Sequence, residues 1–381
     1  MKITPFTRNL LLGLIIMYYS QGALFESGTL LTQAALLLIL SISGVYLLKV
    51  LLLKKIPPLV KAWTALILIN VISFFITGEF LSNKTHIDYL KAILVILLPF
   101  YPFYYFALKG ELKIKHFVIF FAFMLPIAIL QFNFANVEML IRSTSGDIVN
   151  NTAYLFVGLI PFVFIIKKRL YAYLSIAVIS YFIILSAKRG ALVVGVLGLV
   201  MYAYYQIRTI PKKNKLRVYA LVFVGFIALG FFTLKSYSQN IFLQTRVQQA
   251  ETGIWSGREN IYVNIFTEWL NSDSIIQFIF GYGFMGSMKI SGTGNVAHND
   301  WLELLANNGI IGILIYLVLF YYGFKSCFNP YWDRNKQLVL LTIMLIWFVT
   351  TLFSMGFTST SFTGMFLMVA YLIGIKSGKL I

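Results

Sequence analysis

Residues that carry chemistry are scarce in this 381-residue chain, which has 1 cysteine, 3 histidines and 13 Asp and Glu. The lone Cys327 can close neither an internal disulfide nor a multi-cysteine metal site. Beside Lys325 at a membrane edge, it reads as a small apolar filler. The acidic residues are scattered singly, so no two-metal carboxylate cluster is evident, and the sequence has neither a P-loop nor a nucleophile elbow. His86 and His116 lie at separate membrane edges without metal-ligand spacing and read as interfacial packing residues. No metal and no cofactor is expected.

Charge of either sign is also thin, at 12% of residues against 59% hydrophobic. Apolar runs of about 20 residues recur along the whole length, each long enough for a bilayer core of about 30 Å. Lipid admits only helices or closed barrels, and these runs lack the alternation of barrel strands. The expected fold is an all-α integral membrane protein, one polytopic domain over residues 1–381. About 12 helices are expected, near residues 8–24, 29–53, 60–78, 88–108, 116–133, 150–166, 170–186, 190–207, 217–235, 303–324, 338–355 and 361–376. The N-terminal stretch has no small-residue cleavage site behind it and reads as a retained first span.

Threading the chain with both termini cytoplasmic places most of the 31 Lys and Arg inside. All but Glu111 and Asp333 of the 13 acidic residues then fall outside. The net charge of +18 therefore reports orientation against anionic lipid rather than a nucleic-acid surface. Residues 236–302 form the one large extracytoplasmic loop, before the tenth helix, and long loops in compact proteins tend to carry function. Within it, "RENIYVNIFTEWLNS" has apolar residues at Ile261, Ile265, Phe266, Trp269 and Leu270, a stripe expected to lie along the membrane surface.

Three outer sites hold unusual polar residues. In "ILSAKRGALVVG", Lys188 and Arg189 interrupt two apolar helices, and ionisable groups at such depth are functional candidates. The plainer reading is a tight turn with snorkelling cations. In "TGIWSGRENIY", Ser256 and Glu259 have capping-box spacing, which puts Arg258 in the first helical turn. The dipole disfavours a cation there, whereas a helix start plus an arginine fork suits a phosphate; a solvated arginine is the alternative. In "NVAHNDWLELLANNGIIG", His298 stands at the outer tip of a helix bearing Trp301, Leu302 and Leu305, with Asn299, Asp300 and Glu303 around it. Histidine can take or hold a hydroxyl proton near neutral pH, or it can serve as a structural cap. "GYGFMG", Gly281 to Gly286, matches a dinucleotide pattern literally but lacks the strand-helix context and reads as a turn.

In order, spacing and common outer location, these sites resemble the O-antigen ligase and Wzy-type polymerase superfamily over roughly residues 180 to 320. "SAKRGALVVGVLGLV" is similar to its (T/S)-x-R-(G/A) junction, with Arg189 as the arginine. "SGRENIYVNIF" is similar to its GR-x-x-x-(W/Y) segment, and "AHNDWLELLANNGIIG" to its H-N-x-x-L signature followed by G-x-x-G.

The resemblance implies an inverting membrane glycosyltransferase acting on glycan linked to undecaprenyl diphosphate at the outer face of the cytoplasmic membrane. It implies that Arg189 and Arg258 hold the diphosphate and that His298 acts at the acceptor, the three expected catalytic residues, while Lys188, Arg246, Asn299 and Glu303 are expected to bind substrate around them. The acceptor is a second glycan, for a polymerase of O-antigen, capsule or exopolysaccharide, or a lipid A core, for a ligase. Membrane lipids and other polysaccharide-assembly proteins are the further partners. A flippase or transporter is the more distant alternative, and no nucleic-acid partner is expected.

Overall fold

The computed structural model describes residues 3–26, 28–77, 83–142, 150–209, 215–239, 244, 248, 258–328 and 332–378. Among these residues the chain is helical, without a strand. Helices overlap each apolar stretch expected from sequence. They are α1 (Ile3–Tyr19), α2 (Leu30–Leu51), α3 (Pro58–Ile76), α4 (Lys84–Leu97), α5 (Phe100–Leu108), α6 (Ile114–Arg142), α7 (Ala153–Val163), α8 (Arg169–Leu185), α9 (Arg189–Thr209) and α10 (Lys215–Gln239). The loop region then gives three short helices, α11 (Glu259–Leu270), α12 (Ile275–Phe280) and α13 (Gly286–Ile290). Long α14 (Asp300–Cys327), α15 (Arg334–Phe353) and α16 (Thr363–Gly378) close the order.

Among the described residues, 8 helical segments are long and apolar enough to cross a membrane, which makes this a multi-pass membrane protein. α4 and α5 form one of these segments, interrupted at Leu98 and Pro99, because proline brings no N–H to the helical ladder. α7 and α8 are apolar but shorter.

Two compact units interleave along the chain. The first comprises Met1–Leu38, Lys109–Gly253 and Pro330–Ile346. Here Gly198 of α9 lies so close to Ile160 of α7 that a Cβ would stand 2.7 Å from the isoleucine side chain. Small residues of this kind let helices approach where lipid provides no hydrophobic drive. Phe156 and Phe182 stack at 4.9 Å between α7 and α8.

The second unit comprises Ile39–Leu108, Ile254–Asn329 and Trp347–Ile381. Its core is aromatic. Buried Trp63 stacks on Phe100 at 4.4 Å, meets Trp347 and Phe366 edge-on, and donates its indole N–H to the Leu97 carbonyl at 3.0 Å. That bond matters because an indole N–H without a partner is costly in an apolar interior. Gly374 and Gly378 of α16 seat that helix directly on the backbone of α5.

Candidate active site

The site residues of the second unit gather where α14 begins. Asn299 is the N-cap of α14, and its Oδ1 accepts from the backbone N–H groups of Trp301 and Leu302 at 2.9 and 3.1 Å. The cap is thus Asn299, and His298 lies one residue before it. The other end of the same side chain donates from Nδ2 to the Leu352 carbonyl at 3.1 Å. Trp301 follows suit, its indole donating to the Thr351 hydroxyl at 2.9 Å.

Arg258 reaches the next residue of that same α15 terminus, donating to the Phe353 carbonyl at 3.3 Å. The arginine of the second sequence motif and the elbow of the third are therefore tied to consecutive carbonyls, whose Cα atoms are about 3.8 Å apart. Arg258 is half-buried and stands at the N-cap of α11, not inside its first turn as the spacing suggested, because the helix starts at Glu259. Ser256, the expected cap, lies outside the described residues. Arg258 contributes no side-chain cap of its own, and the positive end of the α11 dipole adds to its charge. A cation there is repelled by the helix, and an anion is welcomed by both. Burial pushes the Tyr262 phenol above its ordinary value while the neighbouring Arg258 pulls it down, and Tyr262 occupies the aromatic position of the arginine motif.

His298 is half-buried with φ of 54°, in the left-handed region that few non-glycine residues adopt. Such a conformation persists where the surroundings over-determine it. Both neighbours of His298 are pinned: Asn299 by its cap and tether, and Ala297 by its N–H, which donates to Glu303 Oε2 at 3.0 Å. Glu303 is fully buried, and its Oε1 accepts from the Tyr89 hydroxyl (3.0 Å), the Ser287 hydroxyl (2.9 Å) and the Asn307 amide (2.9 Å). That geometry is one of positioning: the carboxyl group joins α4, α13 and α14 to the residue preceding His298. Asp300, also fully buried, accepts from the Tyr316 hydroxyl at 2.6 Å and the Gly356 N–H at 2.8 Å.

The glycines complete the frame. α14 is broken at Gly309 (φ 60°, ψ −154°), a conformation that is essentially glycine's alone. The Ala306 carbonyl, one turn earlier, accepts the Tyr282 N–H at 2.7 Å. A Cβ on Gly281 would stand 2.5 Å from the backbone of Asn307 and Asn308, so the "GYGFMG" turn is locked into the break.

In the first unit, Arg189 is the first residue of α9, again at a helix N-terminus, and Lys188 precedes it. Ala187 before them has φ of 52°. Its turn is held by Asn150, whose N–H donates to the Ser186 carbonyl at 3.2 Å, and by Ser186 Oγ, which accepts the Lys188 N–H at 3.2 Å. Both arginine and histidine motifs thus carry a left-handed residue other than glycine. Arg246 lies outside the described residues.

His86 and His116 are buried packing residues, His116 accepting the Lys113 N–H at 2.9 Å, and Cys327 is buried. Among the described residues no three His, Cys, Asp or Glu side chains form a group able to hold a metal ion.

Tyr89 is a partner that the sequence did not point to, and Asp300 was named only as a neighbour of His298. Tyr89 gave no signal, being 214 positions from Glu303. The pair Asp300 and Glu303 did give one, as two carboxyl groups three residues apart at the head of an apolar helix.

Residues 174–317 match the family model described as O-antigen ligase. No curated protein matches the chain. The matched stretch runs from within α8 to within α14 and contains every candidate residue named from the motifs. It belongs to the O-antigen ligase and polymerase superfamily.

Proposed function

We propose that this chain, whose residues 174–317 carry the O-antigen ligase domain, is an inverting glycosyltransferase that polymerises glycan carried on undecaprenyl diphosphate. The active site faces the outside of the cytoplasmic membrane, with both chain termini on the cytoplasmic side. The observation that supports this best is the tethering of Arg258 and Asn299, the residue after His298, to the consecutive carbonyls of Phe353 and Leu352.

In the proposed reaction a hydroxyl of the acceptor sugar attacks the anomeric carbon from the face opposite the diphosphate. The bond from that carbon to the diphosphate oxygen breaks, and its electron pair leaves with the phosphate. Arg258 and the α11 N-terminus neutralise the growing charge, and prealigned donors of this kind are worth about 10²–10³ in rate each. His298 orients the attacking hydroxyl and takes its proton. Arg189 is assigned to the same diphosphate from its sequence motif, with Lys188 and Arg246 as supporting cations. Asn299 and Glu303 act by holding the His298 elbow.

The description of the matched family favours a second reading, in which the acceptor is the sugar of a lipid A core. Purified protein reconstituted in vesicles with undecaprenyl-diphosphate-linked repeat units separates the two. A ladder of lengthened glycans supports the polymerase. Transfer only to added lipid A core supports the ligase, and translocation without transfer overturns both.

A further inference from the structure

Helix α11 has two apolar faces, and only one is used inside the protein. Ile261 and Ile265 are buried with Ile290, Ala297 and Ala306, and Trp269 is buried in line with them. Val263, Phe266 and Leu270, three and four residues apart, are instead 62%, 49% and 55% exposed. Asn260, Asn264 and Glu268 occupy the third side. α12, joined to α11 by the stack of Trp269 on Phe278 at 4.5 Å, leaves Ile275, Ile276 and Phe280 open as well. The stripe read from sequence is therefore divided, with Ile261, Ile265 and Trp269 turned inward and Phe266 and Leu270 outward. Exposed apolar side chains in this number mark a surface that meets a partner or a membrane.

Two candidate spanning helices are tied to that surface. α12 ends at Gly281, which is seated on α14 at Asn307 to Gly309. There α14 passes from the polar positions Asp300, Glu303, Asn307 and Asn308 into the apolar residues 310–324. Just beyond Gly281, the Phe284 N–H donates to Thr77 Oγ1 at 2.8 Å, immediately after the end of α3. The last residues of α3, Phe75 and Ile76, are themselves exposed apolar side chains of a membrane span. The end of α3 and the Gly309 break of α14 are thus both tied to the turn that follows α12, beside the exposed apolar end of a candidate span.

We infer that Val263, Phe266, Leu270, Ile275, Ile276 and Phe280 rest in the lipid boundary of the leaflet on the side where α14 begins. The occupant of this face is the bilayer itself. Amphipathic helices lie in this way at the junction of headgroups and acyl chains. As a consequence, Arg258 at the head of α11 is held at the depth of lipid phosphates, whatever reaction follows.

Nitroxide labels on Val263→Cys, Phe266→Cys and Ile276→Cys, and on Asn260→Cys and Glu268→Cys as controls, test this in the full chain reconstituted in phospholipid vesicles. Cys327 is 2% exposed, and the unsubstituted chain serves as the labelling blank. The expected result is that molecular oxygen relaxes the first three labels several-fold more than a water-soluble nickel chelate does, with the preference reversed at the two controls. Equal access of the nickel chelate to all five overturns the inference. So does exclusion of both reagents with label-to-label broadening, which would assign the face to a second copy of the chain.

Discussion

The side chains of Arg258 and Asn299 donate to adjacent carbonyls of one helix end, Phe353 and Leu352, at 3.3 and 3.1 Å. Two motifs about forty positions apart in sequence are thereby registered to one another through a third segment, and His298 directly precedes Asn299 in the chain. The consequences can be measured residue by residue.

Asn299 does two jobs that substitutions can separate. Asn299→Asp keeps the acceptor for Trp301 and Leu302 but sets a carboxylate against the Leu352 carbonyl. Its helix start should survive while glycan transfer falls. Asn299→Ala loses both, and its melting should shift by the equivalent of about 1 kcal/mol for the missing cap. Thermal unfolding in detergent beside a transfer assay distinguishes them; equal activity of Asn299→Asp and wild type would remove the tether from the mechanism.

His298→Gly should cost the reaction but not the fold. A left-handed residue with a Cβ carries strain of about 1 kcal/mol, which glycine relieves. The variant is expected to melt at or above the wild-type temperature and to transfer no glycan. A lower melting temperature would mean that the imidazole, rather than its backbone, holds this corner together.

Glu303 receives four donors, so Glu303→Ala strands Tyr89, Ser287, Asn307 and the Ala297 N–H at about 1–3 kcal/mol for each group left unpaired. Little protein should accumulate in the membrane. Tyr89→Phe removes one bond only; it should accumulate normally, with a reduced kcat and an unchanged KM. A raised KM alone would recast Glu303 and Tyr89 as a sugar-binding pair.

Gly309→Ala forces a side chain into the Ile279 carbonyl in a backbone conformation that only glycine tolerates. Loss of the folded species on size-exclusion chromatography is expected. Gly312→Ala, inside regular helix with Asn308 Cβ 2.7 Å from the new methyl, should be milder.

The spanning helices were legible because a run of apolar residues has one stable solution in lipid, as α2, α3 and α9 illustrate. α12 and α13 were not, since 6 and 5 residues are too few to display a helical period. The two faces of α11 were not separable in the sequence, because an apolar residue looks the same whether or not the fold buries it, so Phe266 and Leu270 read as one stripe with Trp269. Arg258 and Asn299 were visible through their motifs, but their bonds to Phe353 and Leu352 involve backbone carbonyls, which every residue possesses. Gly309 was seen as part of a motif, yet its role as a helix break depends on the opposing backbone at Ile279 and Gly281.

The most direct measurement is a double-mutant cycle on glycan transfer in vesicles with Arg258→Ala, His298→Ala and the pair together. If both act on one diphosphate-linked donor, each single change lowers the transfer rate by about 10²-fold or more. The double variant should then be scarcely slower than the worse single one, as for residues that act as a unit. Wild-type transfer by either single variant, with the protein folded and inserted, would contradict the shared site.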